Sequence, residues 1–305
     1  MCRVLAYLGN QNVSIFDLLY GPDNSLVHQS YAPKLMSHIQ NLAGLGFCAW
    51  EPNSTNPDQP FYYKTTQLPF FDKNLYRFSK KIHTNCLLAH VRGVEYSINE
   101  TVSEQNVHPF KLENTFITLA HNGSLAKMAQ MKPLLTPLIR PEIFAQLRGT
   151  TDSEWVYCLF LSQLNDYTQP IALDEAKAAL LATLKILKQV REQCDIYEAS
   201  PLNLFITNGE YLLVTRFVFD YGCNTNLVEK AFLEFHSLWL TFGERYGKFD
   251  DVYKMHGANK RNNILVASEP LTTDRTTWIE LPEYSLTQAW LEQEQVVFRT
   301  QELYI

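Results

Sequence analysis

The apolar residues of this chain fall into short runs near both ends, a pattern that predicts β-strands before and after a central block of helices. The first run, residues 4–8, predicts a buried strand that ends at a turn formed by Gly9 and Asn10. A strand at this position would hold the start of the chain rigidly. The other apolar runs predict strands at residues 44–50, 61–64, 85–91, 116–121, 202–207, 211–216, 263–269, 278–281 and 295–299.

Amphipathic spacing and helix-capping residues predict the helices. Ser14 and Asp72 each precede a short apolar segment and can cap a helix there. Further helices are predicted at residues 124–131, 142–147, 154–164 and 174–193. We interpret the acidic, aromatic region 226–256 as a helix with an irregular insertion. No internal repeat or linker divides the chain, so residues 1–305 are expected to form one domain of layered sheets and helices.

Composition and charge narrow the classes of function. The chain has 305 residues, of which 46% are hydrophobic, and its net charge is −6. Binding nucleic-acid phosphates requires clustered Lys and Arg, and the longest basic cluster, Lys80 with Lys81, is too small. No apolar run approaches the roughly 20 residues that cross a bilayer, and the N-terminus lacks the features of a signal peptide. We therefore expect a cytoplasmic protein that binds neither nucleic acid nor membranes.

The cysteines do not form a framework, but Cys2 differs from the others. Six cysteines are scattered along the chain without a CxxC pair, so neither disulfides nor structural zinc are expected. Removal of Met1 would give Cys2 a free α-amine beside its thiol. The ordinary pKa of an α-amine is roughly 7.7–8.0, so one residue would supply both a nucleophile and a base. The alternative is that Cys2 is an ordinary buried thiol.

Two segments carry groups that can bind the charged ends of an amino acid. An apolar Ala-His-Val run delivers Arg92 at its end, where a guanidinium can grip a carboxylate with two hydrogen bonds. Asp152 lies in a Gly-Thr-Thr-Asp-Ser-Glu segment before a predicted helix. Its carboxylate can bind an ammonium group, or it can simply cap that helix.

Two other segments suggest how an amide would be held. Asn122 and Gly123 follow a predicted strand, and a side-chain NH₂ with a backbone N–H supplies two donors for an oxyanion. Asn-Gly is also a common hairpin turn. His108 precedes a proline that restricts it to an extended conformation, where it either contacts substrate or has a structural role. A thiol, an oxyanion hole, a cation and an anion together fit glutamine or another γ-glutamyl compound.

This ordered set of motifs resembles the class II glutamine amidotransferases, which are N-terminal nucleophile hydrolases. The resemblance implies an α+β fold, a four-layer α/β/β/α sandwich. It also implies that Cys2 is the nucleophile, that Asn122 and Gly123 form the oxyanion hole, and that Arg92 and Asp152 clamp the substrate. The late segment at residues 266–271, Val-Ala-Ser-Glu-Pro-Leu, resembles the stand-alone branch of the family, which includes hydrolases of γ-glutamyl bonds.

The sequence leaves the use of the product open. No second domain that would use ammonia is recognised, so either a separate protein receives the ammonia or hydrolysis is the end point. A catalytically silent glutamine-binding protein is one alternative, and a hydrolase of other acyl amides is another. A metal hydrolase using His90, His108 and His121 is a third, although no HExxH spacing supports it. We expect neither a metal nor another cofactor.

Overall fold

The computed structural model describes residues 2–35, 40–94, 101–220 and 236–305. Its helices are α1 (Ile15–Leu19), α2 (Leu26–Gln29), α3 (Lys73–Ser79), α4 (Met128–Leu135), α5 (Pro141–Phe144), α6 (Asp152–Ser162) and α7 (Leu173–Gln193). Its strands are β1 (Arg3–Ser14), β2 (Leu45–Trp50), β3 (Phe61–Thr65), β4 (His83–Val91), β5 (Thr118–Gly123), β6 (Ser200–Thr207), β7 (Tyr211–Arg216), β8 (Val218–Phe219), β9 (Trp239–Gly243), β10 (Arg245–Phe249), β11 (Val252–His256), β12 (Asn263–Ala267), β13 (Ile279–Glu280), β14 (Ser285–Glu292) and β15 (Gln295–Glu302). Every described helix is too short or too polar to span a membrane.

The first strand lies at the centre of the larger sheet, whose order is β13-β9-β12-β1-β4-β2-β3. Both neighbours of β1 are antiparallel to it, and Arg3 lies opposite Val91 of β4. Central pairing on both sides satisfies the backbone donors and acceptors of the strand and prevents the start of the chain from fraying. The register therefore brings Cys2 beside the residues that follow Val91.

The expected turn at Gly9 and Asn10 is wrong, because β1 continues through them to Ser14. The pairing with β4 shifts register between Leu8 and Val13, which is where the strand departs from a regular ladder. A Cβ on Gly9 would lie 2.1 Å from Asn263 Oδ1. The glycine therefore permits a close approach of a neighbouring side chain instead of reversing the chain.

The second sheet has the order β15-β14-β7-β6-β5 and packs face to face with the first. Its β6–β7 hairpin confirms the expectation from the sequence. Strand β14 was not predicted, because its polar residues Ser285, Thr287 and Gln288 mask its apolar positions although all three are buried.

Three apolar clusters define four layers. One lies between the two sheets and includes Val4, Ala6 and Leu8 of β1. A second packs α1–α3 against the outer face of the first sheet, and the third packs α4–α7 against the second sheet. The arrangement is the α/β/β/α sandwich that the family resemblance implied.

Two local expectations are corrected. Asn122 and Gly123 are the last two residues of β5, paired with β6, and do not form a turn. In region 226–256, the described residues from Trp239 onward form three strands, of which β9 joins the larger sheet and β10 and β11 form a separate hairpin, so the interpretation is wrong for that part. Residues 226–235 of that region lie outside the described residues. The extent of the domain, 1–305, stays a prediction.

Candidate active site

A cavity of about 540 Å³ lies at one end of the sandwich, where β1 begins and β4 and β5 end. Five of the six predicted site residues line it, namely Cys2, Arg92, His108, Gly123 and Asp152. They come from five separate segments: Cys2 directly precedes β1, Arg92 follows β4, Gly123 ends β5, His108 lies outside the strands and Asp152 begins α6. The sixth, Asn122, does not line the cavity and lies fully buried directly before Gly123.

Cys2 is 8% exposed and its sulfur faces the residue after Arg92. The Gly93 N–H donates to Cys2 Sγ at 3.4 Å, and Gly93 O lies 3.7 Å from the same sulfur. Burial raises the pKa of the Cys2 thiol, against the smaller opposing effects of the Gly93 hydrogen bond and the Arg92 charge. A thiol in this setting remains largely protonated at neutral pH, so attack on a carbonyl requires a nearby base.

Arg92 directly follows β4 and is 4% exposed. Its backbone continues the ladder, since Arg92 N donates to Gly44 O at 2.8 Å and Arg92 O accepts from Ala43 N at 2.9 Å. Its Nη1 donates to Thr101 O at 3.0 Å. The guanidinium therefore lines the cavity from a fixed backbone, as a group that binds a carboxylate must.

Asp152 is the first residue of α6, and the cap of that helix is Thr151, whose side chain accepts from Glu154 N. The alternative in which Asp152 caps the helix is therefore wrong. Asp152 Oδ2 accepts from Leu125 N at 2.6 Å and Oδ1 accepts from Ser153 N at 2.7 Å. These bonds orient the carboxylate beside the cavity, and its remaining lone pairs can accept from a substrate ammonium.

His108 lines the cavity and is 3% exposed. Its Nδ1 lies 2.9 Å from Nε2 of the buried His90, and its own Nε2 has no hydrogen-bond partner among the described residues. Burial lowers the pKa of both rings well below the ordinary value, with their mutual proximity as a further cause for His108. The pair is therefore neutral near pH 7, and His108 Nε2 can meet an uncharged polar group of a substrate.

His121 belongs to a different set of contacts. Its Nδ1 lies 2.8 Å from Ser153 Oγ and its Nε2 lies 3.2 Å from Pro201 O, so both ring nitrogens are engaged. Among the described residues, no group of three or more His, Cys, Asp or Glu side chains is arranged to hold a metal ion.

Gly123 could not be replaced without moving backbone. A Cβ there would lie 1.9 Å from Pro201 O and 2.5 Å from His121 Nε2. The glycine thus lets β5 and β6 approach closely at the cavity, where its N–H was expected to serve as an oxyanion donor.

The sequence-based reasoning did not assign a role to Arg3, Ser268 or Glu269. Arg3 Nε donates to Glu269 Oε1 at 2.7 Å, and Arg3 Nη1 donates to the carbonyl oxygen of Cys2 at 2.9 Å. Ser268 Oγ accepts from Val4 N at 3.0 Å and from Asn122 Nδ2 at 3.2 Å. Ser268 and Glu269 belong to the segment at residues 266–271 that resembles the stand-alone branch of the family. Nothing in the sequence indicated that this segment contacts the start of β1, next to Cys2.

The family model for class II glutamine amidotransferases matches residues 69–290. The chain is also 27% identical over 310 residues to the probable glutamine amidotransferase DUG3 of Saccharomyces cerevisiae, over 94% of this chain and 81% of that protein.

Two solved structures share the fold. A glutamine aminotransferase class-II domain protein from Silicibacter pomeroyi aligns with a TM-score of 0.61 at 18% identity, over 98% of each chain. The glutamine phosphoribosylpyrophosphate amidotransferase of B. subtilis aligns with a TM-score of 0.56 at 16% identity, over 99% of this chain and 49% of its own. At these identities the likeness concerns the fold alone. Because the family match spans most of the chain, this protein belongs to the class II glutamine amidotransferases, and its fold is the sandwich of the N-terminal nucleophile hydrolases.

Proposed function

We propose that this protein hydrolyses a γ-glutamyl amide bond, in glutamine or another γ-glutamyl compound, with Cys2 as an N-terminal nucleophile. The observation that carries the proposal is the cavity in which Cys2 lies together with Arg92, His108, Gly123 and Asp152. A nucleophile, a cation and an anion in one cavity are complementary to an amino acid that carries a reactive side-chain amide. Membership of a family of glutamine amidotransferases supports the same substrate class.

The head group of the substrate would be bound by charge. Arg92 would pair with the α-carboxylate, and Asp152 would accept hydrogen bonds from the α-ammonium. The neutral His108 would contact a polar atom of the substrate through Nε2, which is buried and lacks a hydrogen-bond partner within the described part of the chain. These contacts would place the γ-carbonyl beside Cys2 Sγ, and such positioning is a large part of catalysis by covalent enzymes.

The nucleophile would be generated after removal of Met1. The α-amine of Cys2 takes the thiol proton, and the thiolate attacks the γ-carbonyl carbon. Because burial raises the pKa of this thiol, the reaction depends on a base held within the same residue. The negative charge that develops on the carbonyl oxygen would be stabilised by the backbone N–H of Gly123, which lines the cavity, and by the side-chain N–H of Asn122, the buried residue directly before it.

The intermediate then collapses in two steps. The protonated α-amine donates its proton to the leaving nitrogen, the C–N bond breaks, and ammonia or a larger amine departs from a γ-glutamyl thioester. Water attacks the thioester with the α-amine as base, which releases glutamate and restores the thiol. The ammonia is either received by a separate protein or released as an end product.

The test combines intact mass with product analysis of protein purified from cells. We expect a mass that lacks Met1, and glutamate release from glutamine or from glutathione, with the better substrate identifying the leaving group. Cys2→Ala should lower kcat by at least about 10³-fold, since it removes the nucleophile. Cys86→Ala, at a fully buried cysteine between the sheets, should stay within threefold of the wild type.

Two results would contradict the proposal. Wild-type activity in Cys2→Ala would reject the nucleophile. Retained Met1 with glutamine binding and no glutamate release would instead favour a catalytically silent binding protein.

A further inference from the structure

Ser268 lies directly after β12 at the end of the sheet where β1 begins. Its backbone N donates to Val4 O at 2.9 Å, and its Oγ accepts from Val4 N at 3.0 Å. The serine thus closes the ladder between β12 and the strand that carries Cys2, two residues from the nucleophile. At 1% exposure, it is shielded from water that could replace these bonds.

The same hydroxyl also holds the amide of Asn122. Asn122 Nδ2 donates to Ser268 Oγ at 3.2 Å, which is its one hydrogen bond within the described ranges, and Oδ1 has no partner. An amide nitrogen carries two N–H groups in a fixed plane, so a bond from one of them sets the direction of the other. If the amide is turned over, the Ser268 hydroxyl donates to Oδ1 and still fixes that plane.

We propose that Ser268 is a positioning residue that holds the oxyanion donor Asn122 and the strand of the nucleophile Cys2 in one frame. The proposal rests on the proposed function, because it gives Ser268 a role only if Cys2 attacks and Asn122 stabilises the oxyanion. Two elements far apart in the chain, β1 and β5, meet at one hydroxyl oxygen. Their relative position sets the distance between the attacking sulfur and the donor that must meet the developing charge.

The neighbouring residue anchors the other side of the nucleophile. Glu269 binds Arg3, and Arg3 Nη1 holds the carbonyl oxygen of Cys2 at 2.9 Å. Ser268 and Glu269 therefore fix the backbone on both sides of residue 3. Ser268 binds the backbone of Val4, and Glu269 binds Arg3, which in turn binds the carbonyl oxygen of Cys2.

The test is the kinetics of Ser268→Ala in the full-length enzyme. We expect kcat for glutamate release to fall about 10- to 100-fold, because a misplaced oxyanion donor acts on the transition state, while KM stays within about threefold. Ser268→Thr, which keeps the hydroxyl, should recover most of this loss. Ser285→Ala is the matched control, since Ser285 is equally buried, donates to Pro282 O and does not line the cavity; it should stay within twofold of the wild type.

A double-mutant cycle separates positioning from general support of the fold. In an Asn122→Ala background, Ser268→Ala should lower kcat by a clearly smaller factor than in the wild type, because the amide is gone and only the bond from Val4 N remains to be lost. An equal loss in both backgrounds, or an unchanged kcat in Ser268→Ala, overturns the proposal. If Ser268→Ala does not fold, Ser268→Cys takes its place in the cycle, because a thiol is close in size but a weak acceptor.

The outcomes distinguish this proposal from the proposed function. A wild-type enzyme that releases no glutamate contradicts both. An active, Cys2-dependent enzyme in which the Ser268 variants are indifferent contradicts the role of Ser268 alone.

Discussion

Two arginines lie close to Cys2 in the sequence or in the fold, and their surroundings differ. Arg3 is buried with Glu269, and among the described residues its guanidinium donates to Glu269 Oε1 and Cys2 O. Glu269 is equally closed in, since its Oε2 accepts from Lys34 N and Leu35 N. Arg92 lines the cavity beside the sulfur.

The comparison shows how the same residue type can serve architecture or substrate. A buried ion pair that does not line the cavity holds three chain segments together, at residues 3, 34–35 and 269. A guanidinium at the wall of a cavity, on a backbone fixed by the sheet, can bind a ligand carboxylate. Arg3 therefore holds the backbone at Cys2, and under the proposed function Arg92 would bind the substrate carboxylate.

The largest expected effect is on stability and comes from breaking the buried ion pair of Arg3 and Glu269. Arg3→Met should lower the free energy of unfolding by about 3–5 kcal/mol, because it leaves the Glu269 carboxylate buried without its cation. Replacing both partners, in Arg3→Met with Glu269→Leu, should cost less than the single change. Urea denaturation followed by circular dichroism measures both.

The control for this experiment is an ion pair of similar length with one exposed partner. Arg216 Nη1 lies 2.9 Å from Glu280 Oε1, and the Glu280 side chain is 48% exposed. Glu280→Gln should cost less than about 1 kcal/mol, since solvent screens the pair. If Arg3→Met lowers the free energy of unfolding no more than Glu280→Gln does, the buried pair of Arg3 and Glu269 does not stabilise the fold more than an exposed pair, which contradicts this prediction.

The second-largest effect is on substrate binding and concerns Asp152, which lines the cavity. Asp152→Asn should raise KM for glutamine about 10- to 100-fold, the usual worth of a hydrogen bond to a charged group. Glutaramate, which is glutamine without its α-amine, should be hydrolysed equally poorly by the wild type and the variant. Steady-state glutamate release measures both substrates.

Asp174→Asn is the matched control for this change. Asp174 also lies in the first turn of a helix, but it does not line the cavity. Its KM for glutamine should be unchanged. An equal response of Asp152→Asn to the two substrates would contradict the assignment of Asp152 to the α-ammonium.

The sequence allowed most of the fold to be predicted, because apolar runs and turn residues are local signals. It failed where distant contacts override them. Gly9 was interpreted as a turn residue, but it makes room for Asn263 in the neighbouring strand. Strand β14 was missed because Gln288 and its polar neighbours are buried by packing that no local pattern reveals.

The candidate site shows the same difference between local motifs, which the sequence reveals, and distant contacts, which it does not. Arg92, Asn122 and Asp152 each occur in a short motif with a chemical meaning, so they could be proposed from the sequence. The contacts that hold the backbone at Cys2 could not be proposed from the sequence, because Arg3 and Glu269 are 266 positions apart. The choice of Thr151 over Asp152 as helix cap depended on side-chain geometry and was equally hidden.

The smallest expected effect is on the pH dependence of stability. It concerns His236, a buried side chain that, unlike an arginine, can lose its proton and become neutral. His236 Nδ1 lies 3.3 Å from the backbone oxygen of Asn122, and burial lowers the pKa of His236 to about 4. Between that value and the ordinary pKa of about 6.5, the unfolded chain binds a proton that the folded protein does not. The contribution of His236 to the stability of the fold is therefore complete above about pH 6.5 and is lost progressively as the pH falls toward 4.

From these values, His236 should account for about 2 kcal/mol of the stability lost between pH 7 and pH 5. His236→Gln, which cannot take up a proton there, should unfold with a shallower dependence on pH, measured by urea denaturation at both pH values. His83→Gln, at an exposed histidine, should keep the wild-type slope. An unchanged slope in His236→Gln would mean that His236 is protonated as readily in the folded protein as in the unfolded chain. Arg3 is buried beside the carboxylate of Glu269, whereas the partner of His236 Nδ1 among the described residues is the uncharged carbonyl oxygen of Asn122.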